Sequence, residues 1–435
     1  MAKWNWMQGL RCLAGAGVAL FGTALYAGDA TAIPDTVASP DRVFQQTGFS
    51  LLGEVGCAAP TAAACGACGS KDGSCGNGGC KSDGCNGTGC DTGCPLGLSC
   101  DQDEFNLFEG ATLSGWLQLG YVNRATGLFT DTTENGNVNI NQLWFALDKA
   151  AESECGEWGW GYHADLVYGV DGNNTQAFGN NPGQFDLGPG FTRGGGYEWA
   201  IPQAYIEATN GDTTIKAGHF YTILGYEVVQ ATGNQFFSHA YTMNNIEPFT
   251  HTGVLISQKI SDDVTVHGGW TAGWDTGFDQ FAGGSNFLGG INVQLDDATS
   301  FAYGTTIGDF GVLGDGGYSH SIVIDHAVNC KLNYVFQSDL LNVQSIDSVG
   351  INQYLIYQVS DCVSAATRLE WWKSDGNSVY GATAGINVKP HANVTIRPEV
   401  RYDWSPAGVS ANFPALGQSP RQSGTTLSVD AIFTF

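Results

Sequence analysis

From Phe105 onward the chain alternates its residue types with a period of two. Between positions 158 and 169, Trp158, Trp160, Tyr162, Ala164, Leu166 and Tyr168 share one face, and Gly159, Gly161, His163, Asp165 and Gly169 share the other. Between 394 and 404, Ile396, Val400, Tyr402 and Trp404 point one way and Arg397, Glu399, Arg401 and Asp403 the other. At the C-terminus Leu427, Val429, Ala431, Phe433 and Phe435 alternate with Ser428, Asp430 and Thr434. A period of two is the mark of a strand with unlike faces. It predicts strands over Thr112–Asn123, Val138–Asp148, Glu157–Tyr168, Ile201–Thr209, Thr213–Tyr221, Thr250–Ile260, Val264–Trp274 and Asn286–Leu295. It continues with Thr299–Ile307, Gly317–His326, Asn329–Ser338, Ser348–Val359, Val363–Trp372, Val379–Lys389, Asn393–Trp404 and Gly424–Phe435.

The count is sixteen, and an even count suits a single-chain barrel whose two ends return to the same side of a membrane. Segments of about 9–11 residues cross a bilayer when tilted. The connections also sort by length. Asn210-Gly211-Asp212, Ser261-Asp262-Asp263, Asp296-Asp297 and Pro390-His391-Ala392 read as tight turns, and between them lie long loops such as 169–200 and 222–249. Short turns at one rim and long loops at the other belong to outer-membrane barrels. The face carrying Arg397, Glu399, Arg401 and Asp403 cannot meet lipid at mid-depth, where a basic group costs about 2–4 kcal/mol. It is therefore expected to line a watery lumen. The expected fold is all-β, a transmembrane antiparallel up-and-down β-barrel.

Composition sharpens this. Glycine numbers 62 of 435 residues and charged residues make up only 14%. With 42 acidic and 17 basic residues the formal net charge is −25. That excludes an ordinary nucleic-acid binder, which needs a basic face. The first residues read as a secretory leader: Lys3 and Arg11, the apolar run Cys12–Ala27, then Ala30-Thr31-Ala32 as a cleavage site. Residues 1–32 are expected to be a signal peptide, 33–104 a Cys/Gly-rich periplasmic spacer and 105–435 the barrel. Nine cysteines lie between Cys57 and Cys100. In an exported segment with so little apolar bulk they read as a disulfide-linked or flexible spacer, with metal binding or redox chemistry at Cys65 and Cys68 as the alternatives.

Three stretches carry a resemblance. Ile201-Pro202-Gln203-Ala204-Tyr205, the run AGHFYTILGYE from Ala217 to Glu227, and Ser238-His239-Ala240-Tyr241 resemble the OmpL-like β-barrel porin family. The resemblance extends over most of residues 105–435. It implies an outer-membrane porin and supplies neither a substrate nor a catalytic set.

The candidate chemistry is that of a channel, not an enzyme. No G-x-S-x-G occurs, and the eight histidines are scattered. His219 with Glu227, and His239 with Asn244, bracket a long loop able to fold into the pore. The expected pore-lining residues are Arg368, Glu370, Arg397, Glu399, Arg401, Asp403, His163 and Asp165. Gly381, Thr383, Gly385 and Asn387 lie on the strand between the two charged ones and are small enough for Arg and Glu side chains to meet over them. Net acidity predicts cation preference, with the arginines able to reverse the sign locally. Acidic loop groups such as Asp275 and Asp279 are read as solvated charge, with Ca²⁺ as the alternative. No cofactor and no metal site are expected. Cys330 and Cys362 are expected to pair at the periplasmic rim, with Cys155 bonded to the Cys-rich segment. The expected partners are outer-membrane lipid, the barrel assembly machinery through Phe435, small hydrophilic solutes or ions, and further copies of the chain in a homo-oligomer. The functional expectation is passive diffusion through the lumen of an outer-membrane porin; the alternative is a non-conducting barrel that anchors the Cys-rich segment.

Overall fold

The computed structural model describes residues 110–124, 128–129, 136–153, 156–188, 190–191, 196–344, 346–374, 376–406 and 423–435. Seventeen strand segments make one antiparallel sheet. They are β1 (Thr112–Val122), β2 (Val138–Lys149), β3 (Gly159–Gly169), β4 (Glu198–Ala200), β5 (Ala204–Asn210), β6 (Thr213–Tyr221), β7 (Thr250–Ser261) and β8 (Val264–Thr271). After these come β9 (Ser285–Asp296), β10 (Thr299–Asp309), β11 (Gly317–Asn329), β12 (Leu332–Val343), β13 (Ile346–Ser360), β14 (Val363–Ser374), β15 (Asn377–His391), β16 (Val394–Trp404) and β17 (Ser423–Thr434). β1 pairs with both β2 and β17, so the sheet closes into a barrel.

β4 and β5 both pair with β3 and form one stave in two parts, which makes the wall sixteen staves. The break falls at residues 201–203, inside the strand expected from Ile201. Pro202 has no N–H for the ladder, so pairing cannot run through it. The Asp165 amide donates to the Gln203 carbonyl instead. β3 starts at Gly159 rather than Glu157, and the other staves follow the expected order.

Burial follows the alternation. On β16, Arg397, Glu399, Arg401 and Asp403 are buried between exposed Ile396, Val400 and Tyr402. On β17, Ser428, Asp430 and Ile432 point in while Leu427, Val429 and Phe433 point out. Phe435 finishes the seam. It exchanges backbone hydrogen bonds with Gly115, and its ring meets Phe145 edge-on at 5.9 Å. Gly115 lies so close to this ring and to the Trp144 carbonyl that a Cβ there would overlap both.

Two-residue turns at 211–212, 262–263, 297–298, 330–331, 361–362 and 392–393 share the rim at which the barrel sequence begins and ends. The opposite rim carries the long connections, with an exception. Connections 344–345 and 375–376 are as short as turns, so the expected sorting by length fails over β12–β15. Here the strands themselves are long, 15 residues in β13 and in β15, and extend where other staves give way to loops.

The expected Cys330–Cys362 disulfide is not formed. Cys362 is a free, exposed thiol, and Cys330 is disulfide-bonded elsewhere. The β12–β13 ladder is regular from Leu332↔Tyr357 onward, which keeps the two turns about two strand spacings apart. That exceeds the roughly 7 Å a disulfide spans between Cα atoms. Cys155, the Cys57–Cys100 segment and the leader lie outside the described residues.

Candidate functional site: a strap pinned inside the barrel

Connection 222–249 does not stay at its rim. It carries a 3-10 turn at Ala231–Gly233 and a short helix α1 (Tyr241–Asn245), and it lies against the inner faces of β2 and β11–β17. Polar side chains of the wall take up the backbone groups that this irregular segment cannot pair within itself, as burial demands. We call it the strap.

Three arginines hold its first part. Arg397 grips Asp430 on β17 with Nε at 2.9 Å and Nη2 at 2.5 Å, and its Nη1 donates to the strap carbonyls of Ala231 and Asn234 at 2.8 and 2.6 Å. Arg401 donates to Asp403, to Glu370 at 2.6 Å and to the His239 carbonyl at 2.8 Å, with the Tyr241 ring 4.8 Å away. Arg368 pairs with Glu370, Glu227 and the Ser238 carbonyl, under the ring of Phe236. Each guanidinium thus bridges a carboxylate and a strap carbonyl, a use of its fixed fork of donors that an ammonium cannot reproduce.

The acids answer in kind. Glu399 accepts the strap amides of Phe237 and Ser238 at 2.9 and 3.2 Å. Asp403 accepts the Tyr241 hydroxyl at 2.7 Å. Glu227, on the strap itself, accepts the Ala240 amide at 2.7 Å. Burial opposes its ionisation, but Arg368 and His239 outweigh it and hold the Glu227 carboxyl down at about 2. Gly381 makes the Arg401–Glu370 contact possible. A Cβ there would fall 2.6 Å from the Glu370 carboxylate and 3.3 Å from the Arg401 guanidinium. From β2, Gln142 donates to the Val229 carbonyl and accepts the Ala231 amide.

The second part of the strap is held without arginine. Asn352 donates to Thr242 at 2.7 Å, and the Gln337 amide donates to Glu247 at 2.7 Å and to Asp339 at 2.8 Å. Asp275 accepts the amides of Phe249 and Thr250 and is buried, which corrects its expected role as solvated loop charge.

Of the residues expected to line the pore, Arg368, Glu370, Arg397, Glu399, Arg401 and Asp403 do face inward and come together in one network. They do not line water. All six are buried, the three arginines at 0–2% exposure, because the strap lies on them. His163 and Asp165 stand apart from this network on β3, four staves round the wall from β16. His163 bonds Asp148 at 3.0 Å and Asp165 at 2.9 Å and stacks on Tyr205, over which Lys216 also sits. The His163 and Asp148 side chains keep 15% and 25% exposure, while Asp165 is covered. The sequence reading missed Gln142, Asp430, Glu247, Asp339 and Asn352. Asp430 had a signal, since it shares the polar face of its strand and stands opposite Arg397 in the ladder.

A closed sixteen-stave barrel, apolar outside, charged inside and crossed by an internal strap, is an outer-membrane channel architecture. The chain belongs to the family described as putative beta-barrel porin-2, OmpL-like, whose model matches residues 110–435. It is an outer-membrane porin. The fold is similar to the anion-selective porin from Comamonas acidovorans, at 12% identity over 75% of this chain and 99% of that one, TM-score 0.52. It is also similar to the outer membrane channel DcaP of Acinetobacter baumannii, at 11% identity over 75% of this chain and 97% of that one, TM-score 0.51. No curated protein matches the sequence.

Proposed function

We propose that small hydrophilic solutes pass through the part of the lumen that the strap leaves open, and that the channel prefers cations. The observation that carries this reading is the strap, fixed within the barrel by three guanidiniums that are themselves covered. Because they are covered, the arginines do not offer an anion path. Their network is also acidic in sum, with Glu227, Glu370, Glu399, Asp403 and Asp430 against Arg368, Arg397 and Arg401. On β2 and β3, Asp148 and His163 keep contact with solvent. With a chain charge of −25, the field at the mouths attracts cations.

The test is single-channel recording in planar bilayers with a salt gradient. A reversal potential on the cation side is expected, reduced in Asp148→Asn. An anion-side potential in the unaltered protein would overturn the selectivity. A barrel that inserts without conducting would be the anchor instead. No catalytic role is assigned to any residue. The partners that go with this reading are lipid around the apolar outer face, the barrel assembly machinery reading Phe435, and copies of the chain in a homo-oligomer. The native mass of detergent-extracted protein tests the last of these.

A further inference from the structure

The strap's second anchorage lacks the guanidiniums that pair most of the acids in its first. Glu247 and Asp339 face each other across the Gln337 amide, both buried. The charged groups bearing on Glu247 are Asp339 and Glu227, both acids. Beside Asp339 stand Ser321, Gln337 and Thr242, all neutral. Two carboxylates out of water with no cation against them are too costly to persist as bare charges.

One oxygen at this place also has nothing to bond. Asn352 Oδ1 lacks a hydrogen-bond partner in a residue that is 0% exposed, and the Ser321 hydroxyl, in a residue 2% exposed, has the Asp339 carboxylate beside it. The ladder gathers them. Ser321 stands opposite Asp339 on β11–β12, and Gln337 opposite Asn352 on β12–β13. Asn352 in turn reaches Thr242 on the strap. Gly225 permits Glu247 to lie here, since a Cβ at Gly225 would overlap its carboxylate.

We propose that Glu247, Asp339, Asn352, Ser321 and Thr242 form a binding site for a hard divalent cation of the Ca²⁺ kind, which fastens the end of the strap to β11–β13. Ca²⁺ takes about six to eight oxygen ligands in a flexible shell and favours carboxylates, amide carbonyls and hydroxyls. That is the donor set here. A shared proton is the competing way to neutralise the pair. One proton would bridge two carboxylate oxygens and leave the amide and hydroxyl oxygens as they are, whereas a cation engages them together. Gln337 suits both states, because a side-chain amide presents its donor end to bare acids and its oxygen to a metal.

The test uses the full folded barrel in detergent, stripped with chelator and titrated with Ca²⁺ alone by calorimetry. One Ca²⁺ per chain is expected, with a rise in unfolding temperature. Asp339→Asn and, separately, Glu247→Gln should each weaken it by more than the roughly tenfold that the loss of an outer-shell partner brings. If Asp339→Asn does not fold, Glu247→Gln decides alone. No stoichiometric binding by the unaltered protein, or equal binding by the variants, would overturn the site and leave the shared proton. Conductance measured in chelator tests the channel separately, so failure of the site does not touch that reading.

Discussion

The strap is held at its two ends by unlike chemistry. Between Glu227 and Tyr241, Arg368, Arg397 and Arg401 pair with four of the acids around them and bond the strap carbonyls directly. Between Thr242 and Glu247, amides and hydroxyls do the holding, and Glu247 and Asp339 have no cation beside them. The first end draws its cations from the chain's own side chains. The second has none. A charge inside a barrel therefore has two possible destinations. Where it meets backbone and an opposite charge it becomes part of the wall, and where it does not it remains open to protons, ions and solutes.

The largest effect should come from removing an arginine at the first end. Arg397→Ala strands Asp430 and two strap carbonyls in a dry interior. Breaking a buried pair from one side costs about 3–5 kcal/mol. Thermal unfolding of the detergent-folded barrel should show the loss, and recordings should show larger, noisier conductance as residues 231–234 come away. A conductance change at unaltered stability would mean that Arg397 lines the pore after all. Glu399→Gln is the milder cut. It keeps the shape but turns two charge-assisted bonds from Phe237 and Ser238 into weaker ones, for a loss of about 1–3 kcal/mol.

At the end without arginine the sign should reverse. In chelator, Glu247→Gln removes a buried acid that has no counter-charge and leaves an amide able to bond its neighbours. Relief of about 1–3 kcal/mol is expected. With Ca²⁺ present the same substitution should destabilise. A variant that lowers the unfolding temperature in both conditions would dissolve the distinction between the two ends.

Much of this fold could be read in the sequence because a barrel wall obeys a local rule. Alternation at Trp160-Gly161-Tyr162 or Arg397-Pro398-Glu399 needs only the side-chain period, and closure follows from the count and from Phe435. The strap could not be read that way. Residues 222–249 have no period, and what places them is the far wall, more than a hundred residues on at Arg368, Arg397 and Arg401. The motifs behind the family resemblance did mark the strap's beginning and the stretch leading into α1, since Glu227, Ser238, His239 and Tyr241 are its contacts with the arginines. The charged wall was correctly placed on the inner face and wrongly given to water, because alternation reports which way a side chain points and not what lies on top of it. The failed Cys330–Cys362 pair has the same cause. Both turns were placed on the right rim, but the ladder between them fixes a distance that spacing alone does not show.

The smallest effect expected is also the sharpest test of the contrast, because one experiment follows both ends. Arg368 and His239 depress the Glu227 carboxyl to about 2 from an ordinary value of 4.5, against the pull of its burial. A depressed acid lends stability that is complete above its unfolded value and is lost as pH falls toward its folded one. The Ala240 amide, bonded to Glu227, should therefore stay protected from hydrogen exchange near neutrality and lose protection only on acidification from 4.5 toward 2. Glu247 is shifted the other way. Burial first, and the Asp339 carboxylate second, hold it well above 4.5. A raised acid favours the native state below its unfolded value, and that contribution fades as pH rises. The amides of Ile246 and Glu247, which bond the Thr242 carbonyl, should accordingly lose protection in chelator as pH rises above the ordinary carboxylate range, after correction for base-catalysed exchange. Added Ca²⁺ should restore them and leave Ala240 unmoved. If Ala240, Ile246 and Glu247 open together at every pH, the strap is one cooperative piece, and its two anchorages differ in composition but not in what they do.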